Sequence, residues 1–379
     1  MDISKFKIEF WLNPYDDKAR YNLGSSCCKP VTVSELLSLT NTDRDALFAE
    51  IEQMSLHYGW FEGMPRLKKA IAGLYTDAVC EEMILTVHGG TGANSIVCYT
   101  LCEPGDNVVS ILPNYQQYYS IPEALGVEVR TVNCCTREGC ALDMAALRAA
   151  VDEKTKMINL ANPSNPTGYT LTKEQLLEIV TIAREVGAYV VCDEIYRGLS
   201  EEYMVSICDL YEKGIATAGT SKIFSSAGLR LGWIVTRDLS IKERLMNHRS
   251  YNSICEGPIN ELLGAIVLEN KDVFYRRNKA ICDAGRAALE EWVKENPHFS
   301  IACPSMSSTS YLFYDFDIPA IDFAQGLYDT KSVLVCHGDC FELEHSFRLG
   351  YGFGDTEYLK AGLREITAYV KELEEAGKI

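Results

Sequence analysis

The 379-residue chain contains no apolar run approaching the roughly 18 residues needed to cross a bilayer. Its opening, Met1-Asp2-Ile3-Ser4-Lys5, lacks the apolar segment of a secretory signal. No internal repeat and no low-complexity linker interrupts it. Positive charge is in short supply: 36 Lys and Arg against 53 Asp and Glu leave a net charge of −17. A field of that sign repels phosphate backbones and anionic lipid, so neither nucleic acid nor a membrane is expected as a partner. Cysteine is not scarce, but the 15 residues are odd in number and scattered. That pattern fits reduced thiols in a cytoplasmic protein and not a disulfide scaffold. Cys336-His337-Gly338-Asp339-Cys340 has no companion ligand pair at zinc spacing, and no metal is expected.

What is present is an alternation of β-rich and helical patterns. At about 150 residues per domain, the length suggests two domains or one large α/β unit. Strands are predicted at 84–87, 107–112, 127–132, 156–160, 188–192, 215–219 and 232–235. Helices are predicted at 91–101, 142–151 and 172–187. Short strands separated by helices of ten or more residues imply βα units and a largely parallel sheet. Beyond residue 252 the pattern changes to a long helical stretch reaching 293, strands near 310–314 and 333–336, and an amphipathic helix at 356–374. This mix predicts a smaller α+β domain, joined by the first residues of the chain. The expected division is 45–270 for the large domain and 1–44 with 271–379 for the small one.

Three motifs carry chemistry. Asn162-Pro163-Ser164-Asn165-Pro166-Thr167-Gly168 follows an apolar strand; alone, it fits an ordinary turn. Tyr189-Val190-Val191-Cys192-Asp193-Glu194-Ile195-Tyr196 is a strand ending in a carboxylate, at the sheet edge where open α/β sheets bind ligands. A lone Asp there is also a common helix cap. Gly219-Thr220-Ser221-Lys222 again follows a strand, and Arg230 lies eight residues on. A lysine among small and apolar residues can be desolvated, with a depressed pKa and nucleophilic character, although most lysines are simply exposed. An arginine in an apolar context, if buried, needs an anionic partner.

In this order the motifs resemble those of the class I and II aminotransferases, fold-type I enzymes dependent on pyridoxal 5'-phosphate. The likeness extends to Gly89-Gly90-Thr91-Gly92, similar to the family's phosphate turn, and to Ser346-Phe347-Arg348-Leu349. It runs from about Tyr58 to the C-terminus. It implies a large domain with a mostly parallel seven-stranded sheet between helices, a smaller α+β domain, and a homodimer. The implied activity moves an amino group between an L-amino acid and a 2-oxo acid through a Lys222 Schiff base, with Lys222 also the base for the α-proton. Asp193 is then the partner of the pyridine nitrogen, and Tyr196 and Asn165 of the ring 3-oxygen. Tyr115 is expected to stack on the ring. Gly90, Thr91, Ser221 and Arg230 are expected around the phosphate, and Tyr58 on the phosphate of a neighbouring subunit. Arg348, with Asn165 and Gly24, is expected to bind substrate, Arg348 through the α-carboxylate.

Two departures stand out. The family's usual serine three residues before the lysine is Gly219 here, and its usual Pro-Gly is His337-Gly338. Glu9, Trp11 and the run Tyr21–Cys28 loosely resemble the start of a subgroup that includes capreomycidine synthase. That leaves a lyase, decarboxylase or cyclase as the alternative activity. Arg249 stays open as a reader of an acidic side chain.

Overall fold

In the computed structural model, residues 2–379 are described. A seven-stranded sheet runs in the spatial order Ile84–His88, Leu231–Thr236, Gly214–Gly219, Tyr189–Asp193, Thr155–Ala161, Asn107–Leu112, Glu128–Asn133. Leu231–Thr236 is antiparallel to both neighbours. The other adjacent pairs are parallel. Each strand is a short run rich in β-branched and apolar residues, and the central ones are buried along their length. That is the pattern of strands covered on both faces. The helices between them cap cleanly. Lys173–Val186 opens on Thr172, whose side chain and that of Gln175 satisfy each other's backbone N–H groups, and it closes on Gly187 in the left-handed conformation.

The predicted strands are present within a residue or two at each end, except that the one expected at 333–336 is two short strands, Val333–Leu334 and Cys336–His337, in different sheets. The long helical stretch expected from 252 is instead two helices, Pro258–Glu269 and Lys271–Glu295. Helix Gln117–Ala124, with Pro122 inside it, was not expected, nor was Leu239–Ser250.

A second, antiparallel sheet has the order Phe299–Ile301, Thr309–Tyr314, Ser346–Gly350, Cys336–His337. The N-terminal segment joins this part of the molecule. Tyr21–Asn22 pairs in parallel with Val333–Leu334, and the Trp11 indole donates to the Val335 carbonyl at 2.7 Å.

The sheet direction positions the chemistry. Five parallel strands end at the same edge, and each feeds a motif residue: His88 into Gly90 and Thr91, Leu112 into Tyr115, Ala161 into Asn165, Asp193 itself with Tyr196, and Gly219 into Ser221 and Lys222. The antiparallel strand begins at that same edge, so Arg230, just before it, arrives there too. Residues up to 140 positions apart in sequence thus converge because of topology.

Candidate active site

At this edge lies a cleft of about 690 Å³, lined by Gly90, Thr91, Tyr115, Asn165, Asp193, Tyr196, Ser221, Lys222, Arg230 and Arg348. Ten of the twelve predicted site residues therefore share one cavity. Gly24 touches it indirectly: its carbonyl accepts from Arg348 Nη2 at 2.8 Å. Tyr58 is not in the cleft of its own chain and is 70% exposed.

Asp193 is the last residue of its strand and 8% exposed. One carboxylate oxygen accepts from Asn94 Nδ2 at 3.0 Å, the other from the Ile195 N–H at 3.0 Å. Burial pushes its pKa up; Asn94, the Ile195 N–H and Lys222 oppose that rise without cancelling it. Asn94 is itself held by Tyr118, whose hydroxyl also meets Thr217 at 2.8 Å. This supporting network was not legible in the motifs. Its one sequence signal is spacing, since Asn94 lies one helical turn beyond Gly90 on the same face.

Arg348 is buried in its strand. Nη1 donates to Asn165 Oδ1 at 2.9 Å and Nη2 to Gly24, while Nε has no partner. The Tyr196 hydroxyl is also buried and unpartnered. Buried polar atoms are normally satisfied, and both residues line the one cleft, so a polar ligand there suits them. Tyr115 packs its ring against Phe6, 5.1 Å between centroids, and donates to Glu9 Oε1 at 3.1 Å.

Three expectations need correction. Lys222 is half-buried, and burial does push its amine down, but Cys27, Tyr196 and Tyr115 facing it outweigh that and hold it above the ordinary lysine value. The depressed lysine expected from its apolar neighbours is therefore not found; the neighbours in space are acidic groups that the local sequence does not contain. Arg230 is not buried. It is exposed at the cleft mouth, with Nη1 on the Ala227 carbonyl at 3.1 Å. Arg249 does not face the cleft. It is fully buried on the Thr86 carbonyl at 2.8 Å.

Gly219, the departure from the family's serine, has a steric reason. A Cβ there would lie 2.8 Å from the Leu231 carbonyl oxygen and 3.3 Å from the Gly90 N–H nitrogen. The strands and the start of helix Gly89–Leu101 approach too closely for any side chain. The same crowding recurs at Gly232, whose Cβ would lie 2.3 Å from the Gly89 carbonyl carbon. What this closeness achieves is a helix N-terminus, with its free N–H groups, brought against the cleft beside Ser221 and Arg230. Such a set of donors suits a phosphate. An amine, a buried carboxylate, an unpartnered phenol and a phosphate cradle together fit pyridoxal phosphate.

The comparisons agree. The family model for aminotransferase class I and II matches residues 30–366. A pyridoxal-phosphate-dependent aminotransferase structure from Streptococcus suis superposes with a TM-score of 0.94 at 36% identity, covering 98% of this chain and 99% of that one. Tyrosine aminotransferase of Dictyostelium discoideum is 24% identical over 89% of this chain and 85% of its own length. Capreomycidine synthase of Streptomyces vinaceus is also 24% identical, over 95% and 92%. Matched along most of its length and built around this cleft, the chain belongs to the class I and II aminotransferases.

Proposed function

We propose that Lys222, Asp193 and Arg348 are the working groups of a transamination between an L-amino acid and a 2-oxo acid. The observation that carries this reading is their convergence in one cleft, with an amine, a carboxylate and a guanidinium on three different elements. When bound, pyridoxal phosphate supplies a sink for the electron pair left on the substrate α-carbon. Lys222 would hold the cofactor covalently and, when free, take the α-proton on Nζ. Asp193 would keep a proton on the ring nitrogen, its carboxylate aimed by Asn94. Tyr196 and Asn165 would meet the ring oxygen, and Tyr115 the ring face. Gly90, Thr91, Ser221 and Arg230 would hold the phosphate. Arg348, already oriented by Asn165 and Gly24, would take the α-carboxylate as a bidentate pair.

The remaining wall supports a reading of the substrate side chain. Helix Lys7–Leu12 and its following turn bring Phe6, Glu9, Asn13 and Asp16 to the cleft. Glu9 makes no ion pair among the described residues. Arg230 is assigned to the phosphate, Arg348 to the α-carboxylate and Lys222 to the cofactor, so a wall with two further carboxylates favours an amino acid with a cationic side chain. The same wall supports cyclisation of such a substrate as a second reading. A panel of amino acids against the holoenzyme tests both. Conversion of the cofactor's absorbance to that of its amine form, with a 2-oxo acid product, supports transamination. A cyclic amino acid product, or release of ammonia or carbon dioxide, replaces it with the alternative.

The reading extends to the whole protein. We infer a homodimer in which Tyr58 reaches the partner's phosphate site, a division into a large domain, 45–270, and a small one, 1–44 with 271–379, and a cytoplasmic location. In support of the last, no helix among the described residues is long and apolar enough to cross a membrane.

A further inference from the structure

Lys222 has two neighbours that the motifs do not mention. Its Nζ donates to Ser26 Oγ at 2.9 Å and lies 3.6 Å from Cys27 Sγ. Ser26 is only 6% exposed and lines the cleft. Its main chain is fastened on both sides. The Ser26 carbonyl accepts from Ser308 Oγ at 2.7 Å. The Leu23 carbonyl accepts from the Gly350 N–H at 2.7 Å, and the Cys28 N–H donates to the Lys222 carbonyl at 3.3 Å. The same loop carries Gly24, whose carbonyl holds Arg348. One loop from the N-terminal segment, fastened by these hydrogen bonds, therefore grips both the lysine of the large sheet and the arginine of the small sheet.

We propose that Ser26 is a positioning residue for the proton transfer, its hydroxyl holding the free Lys222 amine on the side of the cleft where the same loop holds Arg348. The inference rests on the transamination reading. In the step, the α-carbon–hydrogen bond breaks, the proton passes to the neutral Lys222 Nζ, and the electron pair stays with the substrate carbon and its sink. Ser26 makes and breaks no covalent bond. It accepts one N–H of the amine before the transfer and of the ammonium after it, so the lone pair starts, and the proton ends, in a defined direction. Misplacing a reacting group by an ångström can cost about a hundredfold.

The arrangement has a pH signature. The groups facing the amine are Cys27 on the loop, Asp193 and Tyr196 at the end of strand Tyr189–Asp193, Tyr115 after strand Asn107–Leu112, and Arg348 on the small sheet. None of these groups is removed with the Ser26 hydroxyl; Tyr196, which Ser26 holds down, rises without it and so supports the Lys222 ammonium less, in the same direction as the direct effect. A hydroxyl oxygen stabilises the ammonium more than the neutral amine. Its loss therefore lets Lys222 lose its proton at lower pH.

Ser26→Ala, Ser26→Thr and the parent holoenzyme are compared for kcat, KM and the pH profile of kcat. The alanine variant is expected to lose roughly tenfold or more in kcat with KM for the amino acid changed by less than about threefold. Its acidic limb should move to lower pH, and threonine should restore both. A second readout does not need turnover. The full chain freed of cofactor is acylated with acetic anhydride across pH, and the label on Lys222 is followed by peptide mass mapping. Ser26→Ala should shift this curve to lower pH, and Ser26→Thr should return it. Should alanine prevent folding, Ser26→Gly, which also removes the hydroxyl and adds no titratable group, is expected to shift the curve in the same direction. An unchanged labelling curve, or alanine and threonine variants equally impaired, overturns the positioning role. Absence of transamination in the parent enzyme would instead overturn the proposed function, and the labelling would still decide whether Ser26 holds the lysine.

Discussion

Asp193 is asked to stay ionised in a place that disfavours ionisation. Burial raises its pKa, and the opposing groups are one amide, one backbone N–H and one lysine. Under the proposed role, Asp193→Asn should leave the fold in place and cofactor bound, because the amide matches the carboxylate's shape and gives up one of its two accepted hydrogen bonds. It should lower kcat by about 10²–10³, the usual cost of losing one preorganised electrostatic partner. Steady-state rates with cofactor occupancy measured by absorbance check this; near-parental kcat would mean that the ring nitrogen has another partner. Gly219 makes the opposite kind of prediction. Restoring the family's serine should not help phosphate binding. Its Cβ would meet the Leu231 carbonyl at 2.8 Å, backbone that cannot swing aside as a side chain can. Gly219→Ser is expected to lose about 1–3 kcal/mol of stability, the range for overpacking, and to bind cofactor less tightly, because the added Cβ also crowds the Gly90 nitrogen at 3.3 Å, at the start of the phosphate-facing helix. Denaturant melts and a cofactor titration read the two effects separately.

Elements show a similar interplay of local pattern and distant partners. The C-terminal helix Thr356–Glu375 is tied to the small sheet by His298, whose Nδ1 meets Asp315 at 2.6 Å and Nε2 meets Glu374 at 3.1 Å. Asp315, then Glu374, raise the histidine above its ordinary value, against a smaller effect of burial. A raised histidine contributes stability that is complete below its unfolded pKa, about 6.5, and that disappears as pH rises through the folded value. His298→Ala should therefore cost more stability at pH 5.5 than at pH 9, by less than about 1 kcal/mol because the pair is partly exposed to solvent. Equal losses at the two pH values would assign His298 a packing role only. The apolar stripe of the C-terminal helix and the seven core strands were legible from pattern alone, because burial on one face or both imposes a period on the residues. Helix Gln117–Ala124 was not, since Pro122 disrupts its local signal and tertiary packing supplies the rest. The break at Asn270 was not legible either, because Glu269-Asn270-Lys271-Asp272 contains no glycine or proline and suits an exposed helical turn equally well. The site divides in the same way. Asp193, Lys222 and Arg348 announce themselves by motif. Asn94 and Ser26 act through partners 99 and 196 residues away, and no local window contains both ends of such a contact.

At the scale of the whole molecule, the unexplained surface is aromatic. Leu56, Tyr58, Trp60, Phe61, Tyr251 and Ile254 are all exposed. Their two segments lie together: a Cβ on Gly59 would come within 2.6 Å of the Glu256 carbonyl oxygen, and Arg249 sits 5.5 Å from the Phe61 ring. Apolar groups concentrated in one patch on a chain of net charge −17 call for a covering surface. A second copy of the chain is the expected cover, with Tyr58 carried across the seam to the partner's phosphate site. Losing one hydrogen bond to a charged group costs about 1.5–3 kcal/mol. Tyr58→Phe should then weaken cofactor binding by roughly ten- to a hundredfold, at ~1.4 kcal/mol per decade. If each site needs both chains, cofactor must also tighten the dimer by mass action. Trp60→Glu, which places a charge in the patch, should dissociate the protein and weaken cofactor binding together. Sedimentation of apo and holo protein over a dilution series measures both linkages. A dimer whose dissociation ignores cofactor would separate the patch from the phosphate site, and a fully active monomer would return Tyr58 to the status of a surface aromatic.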